Sequence, residues 1–336
     1  MRREIVEIPD AVERLIGASD GAIASAGAKL REASPRFLTT VARGSSDHAA
    51  SFLKYAVELT AGIPVASVGP SIASIYGAKL KLQGSACLAI SQSGKSPDIV
   101  AMAEAARAGG ALTIAITNTA GSPLATASDC AIDMLAGPEK SVAATKSFVN
   151  SCVAGLSLMA HATGDDGLRA ALGRLPEHLR KAVDCDWMEI AEALPEGQSL
   201  FVLGRGPAIA MAGEAALKLK ETCVVHAEAY SAAEVMHGPM ALVVPGFPIV
   251  ALAARDASEA SVAAAADLLA TKGASTFATS PLAAKAKTLP HVDTGHPLTD
   301  PLALIVAFYG FVEAFARHRG LDPDQPPNLR KVTETL

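Results

Sequence analysis

The feature that most constrains this chain is an internal repeat. Residues 37–44 and 200–206 are alike: each is an apolar run of strand length that ends in Arg-Gly, at Arg43-Gly44 and Arg205-Gly206, and is followed by a helical pattern. The apolar run at 87–90 has a counterpart at 249–252, and the run at 112–117 has one at 275–279. Between the last two runs of each half lies an alanine-rich helical stretch, 97–108 and 257–271. Self-similarity of this kind organises a fold before any local propensity is considered. Each half reads strand, helix, strand, helix, strand, which implies a parallel sheet covered by helices. The strands are apolar along their whole length, as strands buried on both faces are. Right-handed crossovers follow from the general rule. The expected fold class is therefore α/β, two doubly wound domains. The expected boundaries are 1–163 for the first domain, 164–196 for a polar helical connector, 197–322 for the second domain and 323–336 for a tail.

Composition agrees. A length of 336 residues suits two domains at roughly 100–200 residues each. Half the residues are hydrophobic and only 4% aromatic, which fits close helix packing and argues against disorder. A net charge of −5 gives no electrostatic reason to expect a nucleic acid partner, whereas a phosphate can still be held by backbone amides and hydroxyls. Cys87, Cys130, Cys152, Cys185 and Cys223 are scattered and odd in number, as reduced cysteines of a cytosolic protein are. The N-terminal segment is charged and lacks the apolar core of a signal peptide, and no apolar run of about 18–20 residues suggests a membrane span. The expectation is a cytoplasmic protein with neither membrane nor nucleic acid partner.

In open parallel sheets ligands bind beyond the carboxyl ends of the strands. That directs attention to 44–47, 91–96 and 204–206. One such loop alone would be an ordinary turn, but the first half is unusually rich in hydroxyls. Ser91, Gln92, Ser93, Gly94 and Ser96 follow an apolar strand and open a helix, with Ser96 at the N-cap, Pro97 at the first helical position and Asp98 in the first turn. A helix start with free N–H groups and several hydroxyls suits a phosphate dianion. Ser45 and Ser46 open a second helix and can add to it. There is no GxxxxGK[ST] run, and the Gly204-x-Gly206 pair lacks the third glycine of a dinucleotide fingerprint.

Glu214, Lys218 and Glu221 stand at i, i+4 and i+7, on one face of a helix. By themselves those spacings fit a solvated Glu–Lys face; a strand directly before the helix and strongly apolar surroundings favour a site. His237 precedes Gly238-Pro239, a turn signal, so its ring is expected on a loop. The histidines show no HxxxH or HExxH spacing, so no metal and no cofactor is expected.

Ser91-Gln92-Ser93-Gly94 after a strand resembles the phosphate-binding signature of sugar isomerase (SIS) domains. The tandem arrangement resembles the isomerase half of glutamine–fructose-6-phosphate amidotransferase, as do the stretches 142–146, 214–221, 227–230, 237–239 and 324–331. The resemblance implies two SIS domains, each a flavodoxin-like three-layer sandwich, acting on a sugar phosphate. It makes Glu221 the base that moves a proton between C1 and C2, with Lys218 stabilising enediol charge and Glu214 in support. It makes His237 the group that opens the sugar ring, donated to the neighbouring subunit of a homodimer. Lys331 in the tail would form an imine with the open-chain ketose, and Val142 and Arg330 would join Ser45, Ser46, Ser91, Gln92, Ser93 and Ser96 in binding substrate. The tail departs from the family pattern at Pro327 and Arg330.

The synthase family begins with a glutaminase domain that supplies ammonia, whereas this chain passes from Met1-Arg2-Arg3 almost directly into the sugar-binding half. The expectation is therefore deamination with isomerisation, glucosamine 6-phosphate and water giving fructose 6-phosphate and ammonia. The alternatives are synthesis from free ammonia or a separate glutaminase, deglycation of fructosamine phosphates, and a non-catalytic phosphosugar sensor. No basic helix-turn-helix segment supports the sensor.

Overall fold

Ten strands form two five-stranded sheets in the computed structural model, which describes residues 1–329 and 331. The first sheet holds β1 (Leu38–Val41), β2 (Val65–Ser67), β3 (Ala86–Ser91), β4 (Leu112–Thr117) and β5 (Cys130–Asp133). The second holds β6 (Leu200–Gly204), β7 (Ala227–Ser231), β8 (Pro248–Ala251), β9 (Ser275–Ala278) and β10 (Lys287–Thr288). The orders are β2-β1-β3-β4-β5 and β10-β9-β8-β6-β7, and every pair is parallel. Counted from the first strand of each sheet, both orders are 2-1-3-4-5. The repeat in the sequence is thus a repeat of topology, and it extends to register: Val41 faces Ala89 in one sheet and Leu203 faces Ala251 in the other.

The central strands β1, β3, β6 and β8 are buried at every position, which is why they read as largely apolar runs, broken only by small buried polar residues such as Thr39, Thr40 and Ser91. Helices cover them. Ile99, Met102, Ala103 and Ala106 of the Pro97–Ala108 helix pack on Val41, Cys87 and Ala89. Val262, Ala266 and Leu269 of the Glu259–Thr271 helix pack on Leu203, Ile249 and Ala251. The Asp300–His318 helix is long and apolar enough by composition to cross a membrane, yet 83% of that window is buried inside the protein. It is a core helix that packs on the Ala208–Cys223 helix.

The chain forms two compact units that are interleaved in sequence. One comprises Glu7–Glu139 and Lys146–Pro176 and carries the first sheet. The other comprises Met1–Val6, Lys140–Thr145 and Glu177–Lys331 and carries the second. The six residues Lys140–Thr145, with Val142 among them, therefore belong to the unit of the second sheet although they follow the first sheet in sequence.

Candidate functional site

The first sheet reverses its strand order between β1 and β3, and the loops after those two strands flank that point. Each loop leads into a helix, Ser45–Ala61 after β1 and Pro97–Ala108 after β3. Gly94 has φ +62°, and a Cβ there would lie 2.2 Å from Ser122 Oγ, so the turn admits no side chain. The Ser91 hydroxyl accepts from Gly94 N at 3.2 Å, and the Ser93 hydroxyl accepts from Lys95 N at 3.2 Å. Ser96 occupies the N-cap as expected but makes no side-chain cap bond. Among the described residues, the hydroxyls of Ser45, Ser46, Ser91, Ser93 and Ser96 donate to no protein acceptor, and Gln92 stands half-buried between two of them. Ser91 and Ser93 shape the turn by accepting, and the protons of all five hydroxyls stay available to an anion above two helix starts.

Arg43 ties the two loops together. Its Nε donates to Asp98 Oδ2 across the strand reversal; the Asp98 side chain is 1% exposed and the Arg43 side chain 48% exposed. Burial pushes the Asp47 carboxyl above the usual aspartate range, and the Arg43 guanidinium opposes that shift. In the sequence Arg43 stands out only as a mark of the repeat; a cation at a strand end opposite an acidic first turn is the signal that identifies it.

In the second unit, the three charged residues of the Ala208–Cys223 helix are not a solvated face. Glu214 and Lys218 have no exposure, and the Glu221 side chain is 21% exposed. Lys218 Nζ lies 3.5 Å from Glu214 Oε1 and donates to Glu221 Oε2. Tyr309, fully buried in the Asp300–His318 helix, donates to Glu214 Oε1 at 2.9 Å. One ammonium thus stands between two carboxylates in a dry interior, and the carboxylate that reaches the surface is Glu221. A base needs that arrangement: fixed from behind and open in front. Sequence reasoning missed Tyr309, whose helix otherwise reads as pure core.

The tail and the Lys140–Thr145 segment meet in this same unit. Lys331 Nζ donates to the Ser141 carbonyl at 2.6 Å, which sets the lysine beside the residue preceding Val142. Ser141 Oγ donates to Asp324 Oδ1 at 2.6 Å, and Asp324 also pairs with Arg317 at 3.6 Å. Arg330 lies outside the described residues. His237 ends a short turn, Glu234–His237, and is exposed, as expected of a loop histidine; it shares no hydrogen bond with the Glu214–Lys218–Glu221 group. A cavity of about 770 Å³ in this unit, lined by Arg2, Trp187, Phe311 and Arg317, contains none of the predicted site residues. Among the described residues, no three His, Cys, Asp or Glu side chains converge as metal ligands.

Known proteins resemble this chain over nearly its whole length. The SIS domain matches residues 31–161 and 194–295. A glutamine–fructose-6-phosphate aminotransferase (isomerizing) of Leifsonia xyli subsp. xyli is 33% identical, over 98% of this chain and 58% of that protein. The chain spans about half the length of the curated relatives it matches. A crystal structure of a candidate phosphosugar isomerase from Silicibacter pomeroyi is 58% identical, superposes with a TM-score of 0.94, and is matched over 96% of this chain and 99% of that one. The C-terminal domain of glucosamine-fructose-6-phosphate aminotransferase from Francisella tularensis is 27% identical with a TM-score of 0.84, over 96% and 97% of the two chains.

Proposed function

The chain belongs to the SIS domain family of phosphosugar isomerases, and from that premise we propose that it isomerises and deaminates an amino sugar phosphate, converting glucosamine 6-phosphate and water to fructose 6-phosphate and ammonia. In this reading the phosphate sits over the Ser45–Ser46 and Ser91–Ser96 loops and supplies binding energy remote from the reacting carbons. His237, donated by the neighbouring subunit of a homodimer, assists ring opening. Glu221 removes the proton from C2 and returns it to C1, and Lys218 stabilises the negative charge that develops on O1 of the intervening enolamine. The product is an imine at C2; water adds to that carbon, and the C–N bond breaks with release of ammonia. Lys331, held at the Ser141 carbonyl beside Val142, exchanges into that imine as the ammonia leaves.

The observation that carries the reading is the buried Tyr309–Glu214–Lys218–Glu221 chain with its single opening at Glu221. Four of the cysteines bear on the direction of the reaction. Burial pushes the Cys87 and Cys223 thiols up to about 11, which keeps them protonated, and Cys130 and Cys185 are also raised by burial. None of these four is a ready thiolate for releasing ammonia from glutamine. Unpaired cysteines also fit a cytoplasmic location. The identity to the aminotransferase isomerase half favours the reverse, ammonia-fed reaction as the second reading.

The test is a panel of phosphosugars, amino and non-amino, gluco and galacto, assayed for ammonia release and ketose formation, with Glu221→Gln as control. Ammonia from glucosamine 6-phosphate, lost in the variant, supports deamination. Turnover of non-amino sugars alone removes it, and thermal stabilisation by phosphosugars without turnover makes the protein a sensor.

A further inference from the structure

All three polar atoms of Ser141 are engaged, each by a different part of the chain. Its backbone N–H donates to Glu4 at 3.3 Å, its hydroxyl donates to Asp324 at 2.6 Å, and its carbonyl accepts from Lys331 at 2.6 Å. The residue is 2% exposed, and Glu4 is 7% exposed. Two of the three partners, Asp324 and Lys331, lie on the tail, seven positions apart, and both converge on one residue of the Lys140–Thr145 segment.

We infer that Ser141 is a positioning residue for the tail: it fixes the register in which Lys331 is presented next to Val142. The inference rests on the reading above for what Lys331 does, but not for where Lys331 is held. The argument is geometric. A lysine at the end of a tail has four rotatable carbons and no defined place; a point charge becomes a reagent only when its stem is anchored. The Ser141 hydroxyl anchors the tail at Asp324, and the Ser141 carbonyl receives the ammonium. Asp324 is locked in turn. Burial alone would raise its carboxyl, but the Met1 amine, the Ser141 hydroxyl and the Arg317 guanidinium outweigh that and hold it below the usual aspartate range. The segment from Glu139 to Thr145 thus does more than connect β5 to the following helix: Ser141 docks the tail and Val142 faces the same neighbourhood in sequence.

Ser141→Ala deletes the hydroxyl and leaves the carbonyl. Asp324→Ala removes the same bond from the other side and serves if the first variant folds poorly. Without substrate, cleavage by endoproteinase Lys-C after Lys331, followed by mass spectrometry of the intact chain, reads the docking directly, because the protease must take the ammonium away from Ser141. Loss of one hydrogen bond to a charged group is expected to speed that cleavage about tenfold or more. With phosphosugar, kcat should fall about tenfold with KM within about twofold, since the phosphate loops are untouched. The double variant should be no worse than Asp324→Ala alone, because that variant already deletes the Ser141 bond together with the pairs that Asp324 makes to Met1 and Arg317. Unchanged cleavage in both single variants overturns the inference whether or not the protein turns over amino sugars. Faster cleavage with unchanged kcat overturns the part that concerns Lys331. A wild-type protein inert on every phosphosugar removes the proposed function and leaves the docking to be decided by cleavage alone.

Discussion

Tyr309→Phe is the sharpest test of the buried acid–base chain. The substitution keeps the ring and its packing and removes one hydroxyl, the donor to Glu214 at 2.9 Å. Both residues have no exposure, so water cannot replace the lost donor. A hydrogen bond to a charged group contributes about 1.5–3 kcal/mol, so a loss of about 2 kcal/mol is expected. For a unit of 150–250 residues that corresponds to a fall in Tm of roughly 4–8 °C. Tyr230 supplies the control. It makes the same bond to a carboxylate, Glu228 at 2.7 Å, but from the edge strand β7 and with Tyr230 only partly buried. Tyr230→Phe should cost no more than about 0.5 kcal/mol. Urea denaturation of the three proteins measures the difference, with the slope checked for a common unfolded state. In the activity assay Tyr309→Phe should lower kcat about tenfold with little change in KM, because a base displaced by a fraction of an ångström loses its reach while the phosphate loops remain intact. Equal, small effects from both substitutions would refute the claim that Tyr309 braces the Glu214–Lys218–Glu221 group.

Three further outcomes are expected. Arg43→Gln should raise KM for phosphosugars about fivefold to tenfold, with kcat within about twofold, because it loosens the Asp98 tie between the two phosphate loops and removes a charge beside them; an unchanged KM would count against that crevice as the phosphate seat. Native alkylation by iodoacetamide at pH 8 should modify Cys130 and Cys185 before Cys87 and Cys223, since thiols pushed to about 11 are only about one part in a thousand thiolate there; complete labelling of Cys87 in folded protein would contradict it. The depressed carboxyl of Asp324 contributes stability above its unfolded value near 3.9 and loses it as pH falls through its lower folded value. Hydrogen-exchange protection of the tail amides should therefore hold from pH 7 to about 5 and fall below about pH 4; Asp324→Asn should abolish that dependence.

The architecture was legible because its central strands carry two buried faces and so announce themselves as apolar runs, twice and in order. The Pro97–Ala108 helix ends where the sequence places it, and its partner begins at Glu259, two residues later than expected. The strands not foreseen were the edges. β2 and β5 mix exposed with buried positions, β10 is exposed at both of its residues, and β7 is mostly half-buried, so they lack the apolar signature. The site was legible by residue type. Hydroxyls after a strand and a Glu–Lys–Glu spacing show in one dimension. What spacing hides is burial, and with it the difference between a solvated face and a buried, ion-paired one. Tyr309, Ser141 and Arg43 were invisible for a simpler reason: their partners lie 95, 183 and 55 residues away.

Two crevices of identical topology have acquired opposite chemistry. At the reversal between β6 and β8 the second unit also has a glycine turn, 204–206, and a polar loop, 255–259, in the places that the first unit fills with serines. There the donors are spent. Arg255 donates to the carbonyls of Ala253 and Thr279 and lies 3.8 Å from both Glu259 and Asp300. The Ser258 hydroxyl bonds Asp256 at 2.6 Å, and Ser280 bonds Glu259 at 2.6 Å. A phosphate entering that crevice would meet three carboxylates and would have to break an internally paired guanidinium, a loss that no hydroxyl there offsets. The first crevice offers five hydroxyls and two helix starts that the protein leaves to a ligand. The two sheets share one topology, but pairing inside the second closes its crevice, and the buried Lys218–Glu221 pair of that unit stands at the far end of the Ala208–Cys223 helix, away from the helix start.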